Sequence, residues 1–133
     1  MIENKTIQLY GDGSQLRDLV YVDDAADAFL RAGADDECNG EVFNVGGLAP
    51  ISLKDLAAKL VAIAGGGRVE CVAWPAEKKV IDIGSFYADS SKLTSATGWT
   101  PTVPLEKGLR QVVAFYRAHL NHYVDDSSGS EPA

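Results

Sequence analysis

A mixed α/β (α+β) domain is the fold class that this sequence predicts, and three observations predict it. Short β-rich runs at 7–10, 17–22, 41–45 and 68–73 alternate with helical runs, and neither kind forms a long block. Glycine and proline punctuate the junctions, as at Gly65-Gly66-Gly67, Pro101 and Pro104. A length of 133 residues with 46% hydrophobic and 23% charged content suits one domain able to bury a core unaided by disulfide or metal. The expected boundaries are residues 1–124 for the domain and 125–133 for a polar, disordered tail.

The elements follow in order. Residues 7–10 read as a strand, and Asp12-Gly13 supplies a hairpin-type turn into a second strand at 17–22. Asp23 or Asp24 is placed to cap a helix from 25 to about 32, with Phe29 and Leu30 as the side chains to bury. Residues 41–45 form a β-rich run stopped by Gly46-Gly47. Ser52 and Asp55 resemble a capping box opening a helix whose Leu53, Leu56, Ala57, Leu60, Val61 and Ala64 share one face, and the glycine triplet ends it. A strand at 68–73 is closed by Pro75, and residues 76–86 have no clear period. Asp89-Ser90-Ser91 starts a short helix ending at Gly98. The last helix, 105 to about 122, carries Leu109, Val112, Val113, Phe115, Tyr116 and Leu120 on a broad apolar face.

The net charge of −7 argues against broad nucleic-acid binding, which needs a cationic field to release counterions. No run is long and apolar enough to span a membrane; residues 56–64 are interrupted by Lys59. Cys38 and Cys71 form no metal-type or redox-type pair. With no secretory leader recognised, the expected compartment is the cytoplasm.

Within an acidic chain, an anionic ligand must be met by a few placed cations. Arg17 follows the glycine turn, and its guanidinium fork matches phosphate oxygens. A surface arginine paired with Asp18 or Asp12 fits the same spacing equally well. Tyr10 at the lip of the turn suits stacking on a nucleobase, although a strand aromatic more commonly packs in a core. Lys78 and Lys79 add positive potential or are simply solvated. Asn44 is polar inside an apolar run, and its partners are either a neighbouring loop or a ligand. His119 and His122 lack a third metal ligand in sequence and read as structural or surface residues.

No Gly-x-Gly-x-x-Gly opens a helix, and no tyrosine is followed four residues later by lysine. No nucleophile elbow or metal triad is present either, so no catalytic, cofactor-binding or metal-binding residue is assigned. Read this way, the chain binds and does not catalyse.

The ordered segments "GDGSQLRDLVYVDDAADAFLRA", "EVFNVGG", "ISLKDLAAKLVAIAG", "IDIGSFYADSSKLTSATGWTP" and "LEKGLRQVVAFYR" resemble the C-terminal part of NAD-dependent sugar-nucleotide epimerases and dehydratases. These belong to the extended short-chain dehydrogenase/reductase family. The resemblance implies the substrate-binding part of an extended Rossmann-type fold, UDP-glucose 4-epimerase-like, without the N-terminal half that binds NAD. On that basis Arg17 matches the arginine contacting the diphosphate, Tyr10 an aromatic beside the nucleobase, and Asn44 a polar residue near the nucleotide. Lys78 and Lys79 stand where a second arginine is usual. Asp23, Asp24, Asp89 and Lys92 match motif positions read as structural caps and bridges. The implied ligand is a UDP- or dTDP-linked sugar. NAD is expected only for the full-length enzyme, whose Rossmann half is missing or separate here. Residues 41–45 would be a late strand of the Rossmann sheet. The alternatives are a non-catalytic nucleotide-sugar-binding module and a protein-interaction domain that no longer binds ligand.

Overall fold

The computed structural model describes residues 6–80 and 82–123. The tail expected at 125–133 lies outside the described residues, as do the first five positions of the expected domain.

Two small sheets organise the chain. Strand β1 (Thr6–Tyr10) pairs in parallel with β4 (Arg68–Val72), from Thr6 opposite Arg68 to Tyr10 opposite Val72. Strand β2 is only Leu16–Arg17, and it pairs antiparallel with β3 (Ile51–Ser52). The expected hairpin between the first two strands is therefore not formed. The turn carries the chain from one sheet to the other, and residues 18–21 run on without ladder bonds.

Helix α1 (Val22–Ala34) begins earlier and ends later than its sequence pattern predicts. Its N-cap is Tyr21 with no side-chain cap bond, so neither Asp23 nor Asp24 is the cap. Asp24 instead turns inward and bridges. Its carboxylate accepts bonds from the backbone N–H groups of Thr102 and Val103 at 3.0 and 2.9 Å and from the Thr102 hydroxyl at 2.7 Å. Trp99, 1% exposed, donates its indole N–H to the Asp24 backbone carbonyl at 3.0 Å. This ties the start of α1 to the connector between α4 (Ser91–Thr97) and α5 (Leu105–Ala118). Ala28, Leu93 and Trp99 make the core there, with Val20, Ala32, Phe43 and Val45 packed against it. Phe29 and Leu30 do not join it: they are 75% and 73% exposed, because Ala28 and Ala32 supply the inward face of α1.

Helix α2 (Leu53–Ala64) keeps its expected signals. The Ser52 hydroxyl oxygen accepts the Asp55 backbone N–H at 3.0 Å and donates to the Asp55 carboxylate at 2.7 Å. Gly65 closes the helix in the left-handed region at φ 68°. Two more first-turn donors are used outside the helix, Leu53 N–H by the Gln15 carbonyl and Lys54 N–H by the Gly13 carbonyl. The helix start thus fixes the glycine turn. Ala57 and Ala64 are buried on α2, as are Leu109 and Val113 on α5, and Arg117 donates to the Ala64 carbonyl. On α5 the expected apolar face is only partly covered, since Val112, Phe115 and Tyr116 stay exposed. The helix stops at Ala118 and continues as a 3-10 turn, Leu120–His122.

Residues 41–45 are the main departure: they form no strand. Lys92 of α4 holds the segment by an ion pair with Glu41 (2.6 Å), a bond to the Val42 carbonyl (3.0 Å) and a position 4.9 Å from the Phe43 ring centroid. Gly46-Gly47 is also not a mere stop. A Cβ at Gly46 would collide with the Asp18 carboxylate, and one at Gly47 with the Leu19 backbone.

Candidate functional site

The glycine turn is built to hold one shape. Gly11 and Gly13 adopt φ 76° and 72°, a region that disfavours other residues. The Gly11 N–H extends the β1–β4 ladder to the Val72 carbonyl at 2.8 Å. Asp12 Oδ1 accepts the Ser14 N–H at 2.9 Å, and hydrogen bonding from Ser14 holds this carboxyl below its ordinary range.

Beyond the turn, β2 is flanked by the segment around 84–86. Leu16 donates its N–H to Ser85 Oγ at 3.0 Å and accepts from the Phe86 N–H at 3.0 Å. Arg17 lies half-buried there, with Nη1 donating to the carbonyls of Leu16 and Gly84, both at 2.6 Å. Among the described residues no carboxylate pairs with it. Asp12 is used by Ser14, and Asp18 Oδ2 accepts the N–H groups of Gly47 (3.2 Å) and Ala88 (3.1 Å). Asp18 thus stitches three loops together, and the Gly46 N–H adds a bond to Ser90 Oγ at 2.9 Å. The cation is held in place by neutral carbonyls, and its bonds to the described residues are made through Nη1, not through Nε or Nη2.

Tyr10 ends β1 with its ring 5.4 Å from that of Trp74. Lys78, on the short helix α3 (Ala76–Lys79), donates to the Tyr10 hydroxyl at 3.0 Å. The structure therefore brings Tyr10 and Lys78 together. No bond joins Arg17, Asn44 or Lys79 to that pair among the described residues, and Asn44 and Lys79 are exposed. His119 Nδ1 lies 2.9 Å from the Phe115 carbonyl, its ring stacked on Phe115. No group of potential metal ligands occurs among the described residues. Sequence reasoning missed Asp18 and Trp74. The Arg17-Asp18 adjacency drew attention to their pairing with each other, and Trp74 was hidden behind the Pro75 strand-ending signal.

The sequence model of the NAD dependent epimerase/dehydratase family matches residues 1–46. UDP-glucose 4-epimerase of Mycolicibacterium smegmatis is 34% identical over 117 residues, covering 88% of this chain and 36% of that protein. dTDP-glucose 4,6-dehydratase of Streptomyces griseus is 33% identical over 139 residues, covering 100% and 40%. The solved UDP-glucose 4-epimerase of Thermotoga maritima, with UDP-glucose, superposes at a TM-score of 0.75 with 30% identity, covering 90% of this chain and 37% of that one. The chain is similar to a part of the NAD-dependent epimerases and dehydratases. It spans somewhat over a third of the length of the curated relatives it matches, and its mixed α/β architecture is a partial Rossmann-type epimerase/dehydratase fold. No helix among its described residues is long and apolar enough to cross a membrane.

Proposed function

We propose that this chain forms the nucleotide-sugar-binding portion of an NAD-dependent epimerase/dehydratase of the UDP-glucose 4-epimerase kind. The observation that carries this reading is Arg17: a half-buried guanidinium anchored by two carbonyls and, among the described residues, paired with no carboxylate. Withdrawing such a charge from water without a counterion is unfavourable, and a diphosphate would supply the missing charge bidentately. Tyr10 stands for the nucleobase, Lys78 and Lys79 for the phosphate side, and Asn44 for a contact near the nucleotide.

The chain is catalytically incomplete in this reading. NAD would supply the hydride chemistry of the full-length enzymes, but the starts of α1 and α2 do not fit a dinucleotide. Helix α1 opens with Asp23 and Asp24 in its first turn, which oppose a pyrophosphate, and the opening of α2 is occupied by Ser52, Gly13 and Gln15. No step is therefore assigned to NAD on these residues. In this reading the cofactor and the proton-transferring Tyr-x-x-x-Lys belong to a Rossmann half, for which the exposed apolar face around Phe29, Leu30 and Val42 offers a docking surface.

Titration calorimetry with UDP and dTDP tests the reading. Binding is expected for the folded chain, and Arg17→Ala should weaken it by about 1.5–3 kcal/mol. Undiminished affinity in the variant would remove Arg17 from the site, and no binding at millimolar nucleotide would refute the reading.

A further inference from the structure

Trp74 follows the end of β4, half-buried, with its ring tilted 36° to that of Tyr10. The backbone after Tyr10 lies flush on the indole: a Cβ on Gly11 would come 2.5 Å from Trp74 Nε1. Lys78 also meets Tyr10, its Nζ 3.0 Å from the hydroxyl and 5.0 Å from the ring centroid. Three segments thus fix one aromatic pair in place. The chain's other tryptophan, Trp99, is enclosed in the core and bonded to Asp24, whereas Trp74 keeps part of its surface open. A fixed pair of rings with an ammonium at its rim suits a planar heteroaromatic ring whose edge carries carbonyl oxygens. The rings meet its face, and the N–H donors that Lys78 does not spend on Tyr10 meet its edge.

We propose that Trp74 and Tyr10 together form the stacking wall for the nucleobase, with Lys78 as its polar edge. Lys79 is then the lysine left to the diphosphate. This rests on the nucleotide-sugar reading above and divides the lysine pair between two tasks.

Acrylamide quenching of tryptophan emission reads Trp74 in the intact chain, because Trp99 is enclosed. UDP should shield Trp74 from the quencher, and inorganic diphosphate should not. Trp74→Leu should weaken UDP binding roughly 5- to 150-fold, while diphosphate affinity stays unchanged. Trp74→Phe, which keeps a ring, should retain most of the affinity for UDP. Bound UDP that leaves quenching unaltered overturns the wall and leaves the nucleotide-sugar reading standing. The same holds if Trp74→Leu weakens UDP and diphosphate equally, or weakens neither. A folded chain that binds neither UDP nor dTDP overturns both. The shielding measurement needs no variant, so it decides the matter even if Trp74→Leu folds poorly.

Discussion

Two aspartates illustrate how carboxylates stabilise this chain by accepting backbone bonds. Asp18 receives the N–H groups of Gly47 and Ala88, and Asp18→Ala strands both. A loss of about 2–3 kcal/mol is expected, read as a lower urea midpoint at unchanged slope. Asp24 is buried, which by itself raises its pKa and is the largest single influence. The bonds from the Val103 N–H, the Thr102 hydroxyl and the Thr102 N–H together outweigh it and leave the pKa lowered. Its stabilising effect is therefore present above the unfolded carboxylate value, about 3.9, and is lost as pH falls through the lower folded one. Asp24→Asn should flatten that acid limb in thermal unfolding followed between neutral and strongly acidic pH. Among the candidate site residues, Arg17 was visible from the turn beside it. Whether Asp12 or Asp18 pairs with it was not, because that depends on where their oxygens point.

At the scale of elements, signals contained within a few consecutive residues were legible and signals that need a distant partner were not. Ser52, Asp55 and Gly65 bound α2 as their types imply, since a cap is satisfied by its own helix. Ser52→Ala should cost about 1 kcal/mol, measurable by chemical denaturation. Residues 41–45 have strand composition, yet a strand also requires a partner, and none of the described strands pairs with them. The same limit shortened the second strand to Leu16–Arg17. Phe29 and Leu30 share a helix with Ala28, and only tertiary packing tells which of them faces the core. The glycine pair at 46–47 was legible as a break but not as a close approach. Gly47→Ala should destabilise the chain by more than the few tenths of a kcal/mol typical of surface changes, again seen in the denaturation midpoint.

For the molecule as a whole, the balance of covered and uncovered apolar surface sets its behaviour in solution. Val22, Phe29, Leu30 and Val42 lie on or beside α1 and are at least two-thirds exposed. Concentration-dependent self-association is expected from such a face despite the net charge of −7. Phe29→Lys combined with Leu30→Lys should suppress it in sedimentation velocity, with helicity retained and little change in stability. The parallel pairing of β1 with β4 has a consequence for biosynthesis. About 60 residues separate the paired positions, so β1 leaves the ribosome long before its partner exists. At ordinary elongation rates this delay is roughly 3–12 s. During that interval Ile7 and Leu9 are nascent-chain apolar groups without a sheet, and the wall that Tyr10 shares with Trp74 is among the later features to assemble.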